Sequence, residues 1–253
     1  MPIAIARQVS PRFADCELTH LQRVPIDVEA ARAQHHEYTQ ALRSLGCHVV
    51  ELPAEPDWPD SVFVEDTAFI LPELAVITRP GADSRKPEIP SIADALRPHR
   101  ELVFIHEPAT VDGGDVLALD KDIYVGLSTR SGGAAIEQIR AFLARFDYCI
   151  HGVELHGCLH LKSAVTRLGP DALLIQRDWV DTSPFEKYEL VDVAPSEPFA
   201  ANILMIGETG MYPITFPETQ EKLTQRGVHL LTVDVSELAK AEGAVTCCSL
   251  IVP

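Results

Sequence analysis

The order of strand-like and helix-like segments is the feature that most constrains the fold of this chain. Short apolar and β-branched runs recur in small clusters, and single helical patterns, such as residues 28–45 and 133–146, separate the clusters at similar intervals. Tight turns at residues 120–122 and 207–210 predict two β-hairpins. No glycine-rich phosphate-binding loop follows any strand, so a nucleotide-binding fold has little support. The pattern predicts an α/β chain built from several similar small modules.

Length and composition are those of an ordinary globular protein, with 253 residues of which 46% are hydrophobic and 23% charged. No low-complexity run and no linker rich in proline, glycine or serine divides the chain. We therefore expect residues 1–253 to form a single domain. The six cysteines include no CxxC spacing, and a chain of this length needs no disulfide framework, so we expect reduced thiols.

Charge and hydropathy limit the partners and the location of the protein. The chain has 21 basic and 37 acidic residues, a formal charge of −16 at pH 7. Such a surface repels nucleic-acid phosphates and anionic lipids and attracts a cationic ligand. The N-terminus lacks the basic flank and long apolar region of a signal peptide, and no apolar run approaches the length of a membrane span, about 18 residues. We expect a cytoplasmic protein with no nucleic-acid or membrane partner.

The C-terminal segment, residues 243–253, places two adjacent thiols in an apolar stretch that is typical of a buried strand. Because side chains alternate across a strand, Cys247 and Ser249 are expected on one face and Cys248 on the other. Buried cysteines are often inert, so this segment alone does not indicate a nucleophile. It becomes informative together with the ionisable residues upstream.

Acidic residues stand where predicted strands meet loops. Asp60, Glu65 and Asp66 flank a short apolar run, and Asp112 and Asp115 enclose two glycines that permit close approach of the backbone to a ligand or another strand. Carboxylates wedged between apolar segments must be hydrogen-bonded, paired or exposed at a cleft. Each group taken alone could equally be a solvated strand end or a plain turn.

Histidine, cysteine and arginine residues complete a chemically suggestive set. His156, Cys158 and His160 alternate along a predicted strand, either as three metal ligands or as one catalytic histidine with two incidental neighbours. Arg85 and Arg130 lie in predicted loops and suit bidentate binding of a carboxylate, although a surface arginine is the common case. A thiol, a histidine, several carboxylates and two arginines together suggest nucleophilic attack on the guanidinium carbon of a zwitterionic substrate.

These residues belong to sequence blocks that resemble the dimethylarginine dimethylaminohydrolases, members of the guanidine-modifying, or pentein, superfamily. The blocks occur in the family order between residues 49 and 249. They are Val49-Val-Glu-Leu-Pro53, Val62-Phe-Val-Glu-Asp66, Ile77-Thr-Arg-Pro-Gly81, Asp112-Gly-Gly-Asp-Val116, Val125-Gly-Leu-Ser128, Leu159-His-Leu-Lys-Ser163 and Thr246-Cys-Cys-Ser249.

The resemblance implies a five-fold pseudosymmetric α/β propeller of ββαβ modules. It implies Cys247 as nucleophile, His160 as general acid and base, and Asp112 as its acidic partner, at a position where many bacterial members carry glutamate. The implied substrate-binding residues are Asp66 and Glu65 at the guanidinium, Asp60 at the α-amine, Arg85 and Arg130 at the α-carboxylate, Leu18 through its backbone carbonyl in a lid loop, and Ser249 beside the nucleophile. Neither a metal nor an organic cofactor is implied.

The activity that the resemblance implies is hydrolysis of Nω-methylated arginines to citrulline and methylamines through a covalent thiouronium on cysteine. Three alternatives stay open: an arginine deiminase-type hydrolase of another guanidino substrate, a metalloenzyme that uses the histidine–cysteine group at residues 156–160, and a non-catalytic binder of arginine-like ligands. Agmatine fits poorly because it has no carboxylate for the two arginines. The sequence does not fix the oligomeric state, and a homodimer stays open.

Overall fold

Fifteen strands form five three-stranded sheets in the computed structural model, which describes residues 1–253. The strands are β1 (Ile3–Arg7), β2 (His48–Leu52), β3 (Ala68–Ile70), β4 (Leu74–Ile77), β5 (Glu101–Phe104), β6 (Val116–Leu119), β7 (Asp122–Leu127), β8 (Cys149–Glu154), β9 (Val165–Arg167), β10 (Ala172–Ile175), β11 (Glu189–Asp192), β12 (Leu204–Ile206), β13 (Thr209–Pro213), β14 (His229–Val233) and β15 (Leu250–Val252).

Six α-helices accompany the strands, and short 3₁₀ turns fill several of the connections. The helices are α1 (Val28–Ser44), α2 (Ile89–Leu96), α3 (Gly133–Leu143), α4 (Leu161–Ala164), α5 (Pro217–Gln225) and α6 (Ser236–Ala239). The longest, α1, begins where the Asp27 carboxylate accepts hydrogen bonds from the backbone N–H of Glu29 and Ala30, both at 3.0 Å. None of the six is long and apolar enough to cross a membrane.

One topology is repeated in all five sheets, whose strand orders are β15-β1-β2, β3-β4-β5, β6-β7-β8, β9-β10-β11 and β12-β13-β14. In each sheet the central strand pairs antiparallel with the first strand named and parallel with the last. The expected five-fold pseudosymmetric α/β propeller of ββαβ modules is therefore confirmed. Because β15 completes the sheet of β1, the two ends of the chain meet in one module.

The fourth module departs from the repeat. Helices α1, α2, α3 and α5 connect the two parallel strands of the other four modules, whereas β10 and β11 are joined through the 3₁₀ turns Arg177–Trp179 and Ser183–Phe185. Strand β11 is not evident from the sequence, because its four residues show no apolar alternation. In the structure only Val191 among them is buried.

Two strands expected from the sequence are wrong, and both lie close to the centre of the molecule. Residues 245–248 form a turn, residues 243, 244 and 249 have no regular structure, and β15 begins only at Leu250. Residues 156–160 bend and lead directly into α4. The apolar and alternating composition of these segments reflects burial rather than strand pairing. The expected strand faces, one shared by Cys247 and Ser249 and one by the 156–160 group, therefore do not exist.

Candidate active site

A cavity opens to solvent where turns from several modules converge, and the empty space in and above it is about 420 Å³. Its acidic wall residues are Glu17, Asp60, Asp66, Asp112 and Glu242; the others are Arg85, Arg130, His160, Cys247, Phe63, Leu159, Ala241 and Gly243. Seven of the ten site residues expected from the sequence border this cavity, and Leu18, Glu65 and Ser249 do not. The excess of carboxylates favours a cationic ligand in this cavity.

The functional side chains come from equivalent places in the repeat. Asp66, Asp112, His160 and Cys247 each stand in the turn that precedes the antiparallel outer strand of a module, namely β3, β6, β9 and β15. Asn202 occupies the same place before β12. Because the modules are arranged around one axis, these five turns point toward a common centre. The fold thus assembles the site from residues far apart in sequence.

Cys247 is held in its turn from several directions. Its backbone N–H donates to the Ala244 carbonyl at 3.1 Å, and its carbonyl accepts from the Glu65 N–H at 3.1 Å. The Tyr38 hydroxyl on α1 donates to the Val245 carbonyl at 2.8 Å and lies 2.7 Å from the Ser249 hydroxyl. Ser249 thus braces the turn against α1 and lies away from the cavity.

The Cys247 thiol is neutral at rest. Burial raises its pKa well above the ordinary value, and the carboxylates of Glu65 and Asp66 raise the pKa further because a thiolate beside them would be repelled. The adjacent Cys248 is fully buried in an apolar cluster and its thiol contacts the Ala244 carbonyl, with the two atoms 3.7 Å apart. Of the two adjacent thiols, only that of Cys247 borders the cavity.

His160 is buried among carboxylates and is protonated at neutral pH. Its Nε2 lies 3.1 Å from Asp112 Oδ2, and its Nδ1 lies 3.7 Å from Asp66 Oδ1. Burial alone would lower the imidazole pKa, but the charges of Asp66, Asp112 and Asp115 outweigh that effect and raise the pKa of His160 to about 10. The resting site therefore contains a thiol that keeps its proton and an imidazolium able to donate one.

Two glycines let the acidic turn pack directly against this imidazole. A Cβ atom at Gly113 would lie 2.0 Å from the Glu65 carbonyl oxygen, and one at Gly114 would lie 2.6 Å from His160 Nδ1. The Gly114 N–H donates to Asp66 Oδ1 at 3.2 Å. The close backbone approach expected of this motif is confirmed, and any larger side chain would displace the histidine.

Asp115 is a functional residue to which sequence reasoning gave no role. It is fully buried, and its carboxylate accepts from the Leu161 N–H at 2.9 Å and from the hydroxyls of Ser128 and Ser131, both at 2.6 Å. It thereby caps α4 immediately after His160 and contributes to the negative field around the imidazole. Its position beside Gly114 in the same motif was the feature of the sequence that could have indicated this role.

The two arginines have different surroundings. Arg85 is buried and forms ion pairs with Asp66 at 2.9 Å and with Glu88 at 2.7 Å, and it also donates to the Phe63 carbonyl at 2.8 Å. Glu88, three residues after Arg85, was missed by the sequence analysis although an i,i+3 charge pair was visible there. Most N–H groups of the Arg85 guanidinium therefore already donate to partners within the protein.

The Arg130 guanidinium is held by residues 17–19, at the end of the loop whose Glu17 borders the cavity. It donates to the Thr19 hydroxyl at 3.1 Å and lies 3.6 Å from the Glu17 carboxylate. The Glu17 N–H donates to buried Asp60 at 3.2 Å. Leu18 does not border the cavity but packs against the apolar cluster that contains Phe63. Arg130 can therefore exchange a weak internal contact for an anionic ligand group.

Glu65 lies behind the nucleophile rather than in the cavity wall. Its carboxylate pairs with Lys162 at 2.7 Å and accepts from the Thr246 hydroxyl at 2.8 Å. Asn202 accepts from the Thr246 N–H at 3.1 Å and donates to the Lys162 carbonyl at 3.0 Å. This network, most of which the sequence did not reveal, fixes the residue immediately before Cys247.

The metal site considered for His156, Cys158 and His160 is not formed. His156 is exposed, and the Cys158 thiol contacts the His160 backbone carbonyl at 3.5 Å. The group of potential ligand atoms within 4.8 Å of one another consists instead of Asp66, Asp112 and His160. The imidazole there carries a proton between two carboxylates, an arrangement suited to proton transfer.

The chain is similar to known proteins along almost its whole length. A family model described as "N,N dimethylarginine dimethylhydrolase, eukaryotic" matches residues 19–252. The chain is 37% identical over 248 residues to the N(G),N(G)-dimethylarginine dimethylaminohydrolase of Streptomyces coelicolor, covering 98% of this chain and 95% of that one.

Two solved structures have the same fold along their length. One is the Pseudomonas aeruginosa enzyme, as a cysteine-to-serine mutant complexed with citrulline, with a TM-score of 0.93, 30% identity and 98% of each chain covered. The other is a histidine-to-glycine dimethylarginine dimethylaminohydrolase as an adduct with S-methyl-L-thiocitrulline, with a TM-score of 0.92, 31% identity and the same coverage. The chain belongs to the dimethylarginine dimethylaminohydrolase family and is a hydrolase that acts on the C–N bonds of linear amidines.

Proposed function

We propose that this hydrolase converts Nω-methylated arginines to citrulline and methylamines through a covalent thiouronium on Cys247. The observation that carries the proposal is the pairing, in one acidic cavity, of a neutral thiol with a protonated histidine held by Asp112. The citrulline bound to the Pseudomonas aeruginosa relative supports the class of product.

Recognition of the substrate follows the charges of the cavity wall. Asp66 faces the guanidinium, and Asp60 receives the α-amine. The carbonyl of Leu18, which lies outside the cavity wall in the free protein, joins Asp60 only after residues 17–21 shift. Arg130 provides the main contact to the α-carboxylate because its present partners are weak, while Arg85 adds positive charge. Glu65 and Ser249 act from outside the cavity by holding the turn that carries the nucleophile.

The first half of the reaction begins when the cationic guanidinium binds beside the thiol. Its positive charge offsets the carboxylates that disfavour ionisation, so the Cys247 proton leaves to solvent. The thiolate attacks the guanidinium carbon and forms a C–S bond. His160 then donates its proton to the substituted nitrogen, the C–N bond breaks, and the methylamine leaves. General acid catalysis of this kind contributes roughly 10²–10⁴ in rate.

The second half releases the product. His160, now neutral, accepts a proton from water, and the hydroxide adds to the thiouronium carbon. The C–S bond breaks, the hydroxyl proton of the adduct leaves to solvent as citrulline departs, and the thiolate regains a proton from solvent beside the restored imidazolium. Across the two halves, the C–N bond to the methylamine is replaced by a C–O bond from water, and the C–S bond forms and breaks without any change of oxidation state. None of these steps requires a metal or organic cofactor. We further propose that residues 1–253 act as one catalytic domain in the cytoplasm, where the six unpaired cysteines stay reduced.

The test is a side-by-side measurement of citrulline release from asymmetric dimethylarginine, monomethylarginine and arginine, with Cys247→Ser as the control. We expect the highest kcat/KM for a methylated arginine and no turnover by the control. Release from arginine alone would identify a deiminase-type enzyme. Tight binding of all three without turnover would identify a binding protein.

A further inference from the structure

The segment that follows β14 holds the loop that covers the cavity at several points. The Asp27 N–H donates to the Glu237 carboxylate at 2.9 Å, and Lys240 donates to the Pro25 carbonyl at 3.1 Å. The third contact is made by Glu242, which also borders the cavity. Together these contacts fasten residues 19–27 to the chain that leads into the nucleophile.

Glu242 makes more hydrogen bonds to this loop than Glu237 or Lys240 does. Its carboxylate accepts hydrogen bonds from three consecutive backbone N–H groups, those of Thr19 at 2.9 Å, His20 at 2.5 Å and Leu21 at 2.6 Å. Hydrogen bonds to an ionised acceptor are about twice as strong as neutral ones. Glu242 itself has φ = +61°, a backbone conformation that a glutamate rarely adopts. The glutamate side chain therefore occupies this position although the backbone of Glu242 is strained.

The opposite end of the covering segment is fastened differently. The Glu17 N–H donates to Asp60, and the Glu17 carboxylate accepts from Ser84 at 2.6 Å and lies near Arg130. Asp60 and Arg130 are the groups that a zwitterionic substrate would engage. Binding of substrate must therefore loosen this end, whereas the Glu242 contacts use no substrate-binding group and can persist.

We propose that Glu242 is a positioning residue that keeps residues 17–21 over the cavity while substrate replaces the contacts of Asp60 and Arg130. The part of this proposal that concerns substrate rests on the function proposed above. The anchoring of the loop by Glu242 stands on the geometry of the free protein alone. It is therefore testable without any turnover.

The first experiment is amide hydrogen exchange in the free protein with Glu242→Gln and Glu242→Gly. We expect the amides of Thr19, His20 and Leu21 to exchange about tenfold faster or more, the change that corresponds to one lost charge-assisted hydrogen bond. Glycine suits the positive φ, so the midpoint of global unfolding should be unchanged in Glu242→Gly. Unchanged exchange at these three amides in both variants would overturn the proposal.

The matched control is Glu237→Gln, which removes a carboxylate that also accepts from a backbone N–H of the same loop. Glu237 also pairs with Lys240, which donates to the Pro25 carbonyl, so we expect faster exchange confined to residues near Asp27 and wild-type exchange at residues 19–21. Equal loosening of residues 19–21 by the control would show that the loop responds to any loss of charge in this segment, and would overturn the specific role of Glu242.

The second experiment measures binding of L-citrulline by calorimetry. We expect Kd to rise about tenfold in both Glu242 variants and to stay at the wild-type value in Glu237→Gln. Faster exchange with unchanged Kd would overturn the substrate part of the proposal. If the wild type hydrolyses none of the three arginines, the proposed function fails, and the exchange experiment still decides whether Glu242 anchors the loop.

Discussion

The pKa of the Cys247 thiol and the pKa of the His160 imidazole are both raised, and Asp66 contributes to both shifts; burial and Glu65 act on the thiol, and Asp112 and Asp115 act on the imidazole. Each keeps its proton to higher pH than it would in water, the thiol because a further anion is disfavoured and the imidazole because its cation is stabilised. A thiolate–imidazolium pair would need the thiol pKa to fall instead. The free protein therefore holds a proton donor at His160 and an un-ionised thiol at Cys247, which is the starting state that the proposed mechanism requires.

The expected consequence is a particular pH dependence of alkylation. In the free enzyme, the rate at which iodoacetamide modifies Cys247 should rise with pH and reach half its maximum above the pKa of an ordinary thiol, about 8.5. A bound non-hydrolysable amidine should move that midpoint to lower pH, because its cation stabilises the thiolate. Cys247→Ser, with the other five cysteines retained, gives the background. A midpoint well below pH 7 in the free enzyme would contradict this account.

The His160 shift also predicts how stability depends on pH. Its pKa is raised from 6.5 to about 10, so the folded protein binds this proton more tightly than the unfolded chain does. The resulting stabilisation is complete below about pH 6.5 and is lost as the pH rises toward 10. Denaturant unfolding of His160→Gln and wild type at pH 6 and pH 10 checks this, since the difference between the two proteins should shrink at the higher pH.

Arg85 and Arg130 should respond differently to truncation. Arg85→Ala leaves Asp66 and Glu88 buried without their partner, and breaking such a pair typically costs about 3–5 kcal/mol of unfolding free energy. Arg130→Ala removes only weak contacts to Thr19 and Glu17. The Arg130→Ala variant should therefore have a higher KM for a methylated arginine. The binding free energy that it loses should be that of one charged contact, about 1.5–3 kcal/mol.

Urea unfolding and steady-state kinetics of the two arginine variants separate these effects. We expect Arg85→Ala to be destabilised and Arg130→Ala to unfold like the wild type with a raised KM. The exposed Arg32, paired with Glu29 on α1, offers an alanine control for which neither property should change. If Arg85→Ala and Arg130→Ala have the same unfolding free energy, Arg85 does not stabilise the fold.

At the scale of elements, the site depends on short turns rather than on strands or long helices. Side chains that alternate between polar and apolar, as at residues 156–160, fit a strand and a bent loop equally well, and the sequence alone could not decide between them. The side of Cys247 was argued from a strand that does not exist. Its position at the cavity follows instead from the turn held by Tyr38 and Glu65. The sequence motif around Cys247 correctly indicated a residue that borders the cavity, although the strand predicted for it was wrong.

Asp115 illustrates how one buried group controls such a turn. Asp115→Asn keeps the shape of the side chain but removes the charge that accepts from Leu161, Ser128 and Ser131. We expect the pKa of His160, measured by NMR titration of the imidazole, to fall, since Asp115 is one of the carboxylates that raise it. The unfolding free energy should fall by about 1–3 kcal/mol. The alkaline limb of the pH profile of kcat should move to lower pH, because the imidazolium loses its proton at lower pH in the variant.

Asp181→Asn is the matched control for this element. Asp181 also accepts from a backbone N–H and a hydroxyl, both of Ser183, but it is exposed on the surface. We expect no change in the pKa of His160 or in kcat. If Asp115→Asn likewise leaves the His160 titration unchanged, the proposed influence of Asp115 on the imidazole is wrong.

At the scale of the whole molecule, the assembly of the candidate site depends on the pseudosymmetry. The same turn of each module, the one before its antiparallel outer strand, supplies Asp66, Asp112, His160, Asn202 and Cys247. The periodicity of strands and helices predicted similar modules, but the closure came only from the family resemblance, since no local pattern reveals that β15 pairs with β1. Asn202 was missed for the same reason, because its role is visible only once the modules are superimposed on one another.

Closure of the ring should make the modules unfold together. Leu250 in β15 is buried against residues of the second module, including Ile77, whereas its neighbour Ile251 is only partly buried. Leu250→Ala should cost about 2–5 kcal/mol, as expected for a truncated core leucine, and Ile251→Ala clearly less. Because β15 links both ends of the chain, slowly exchanging amides in the distant β7 should lose protection as much as those in β1. Loss of protection confined to β1 and β15 would show that the first module opens by itself and that closure does not couple the five modules.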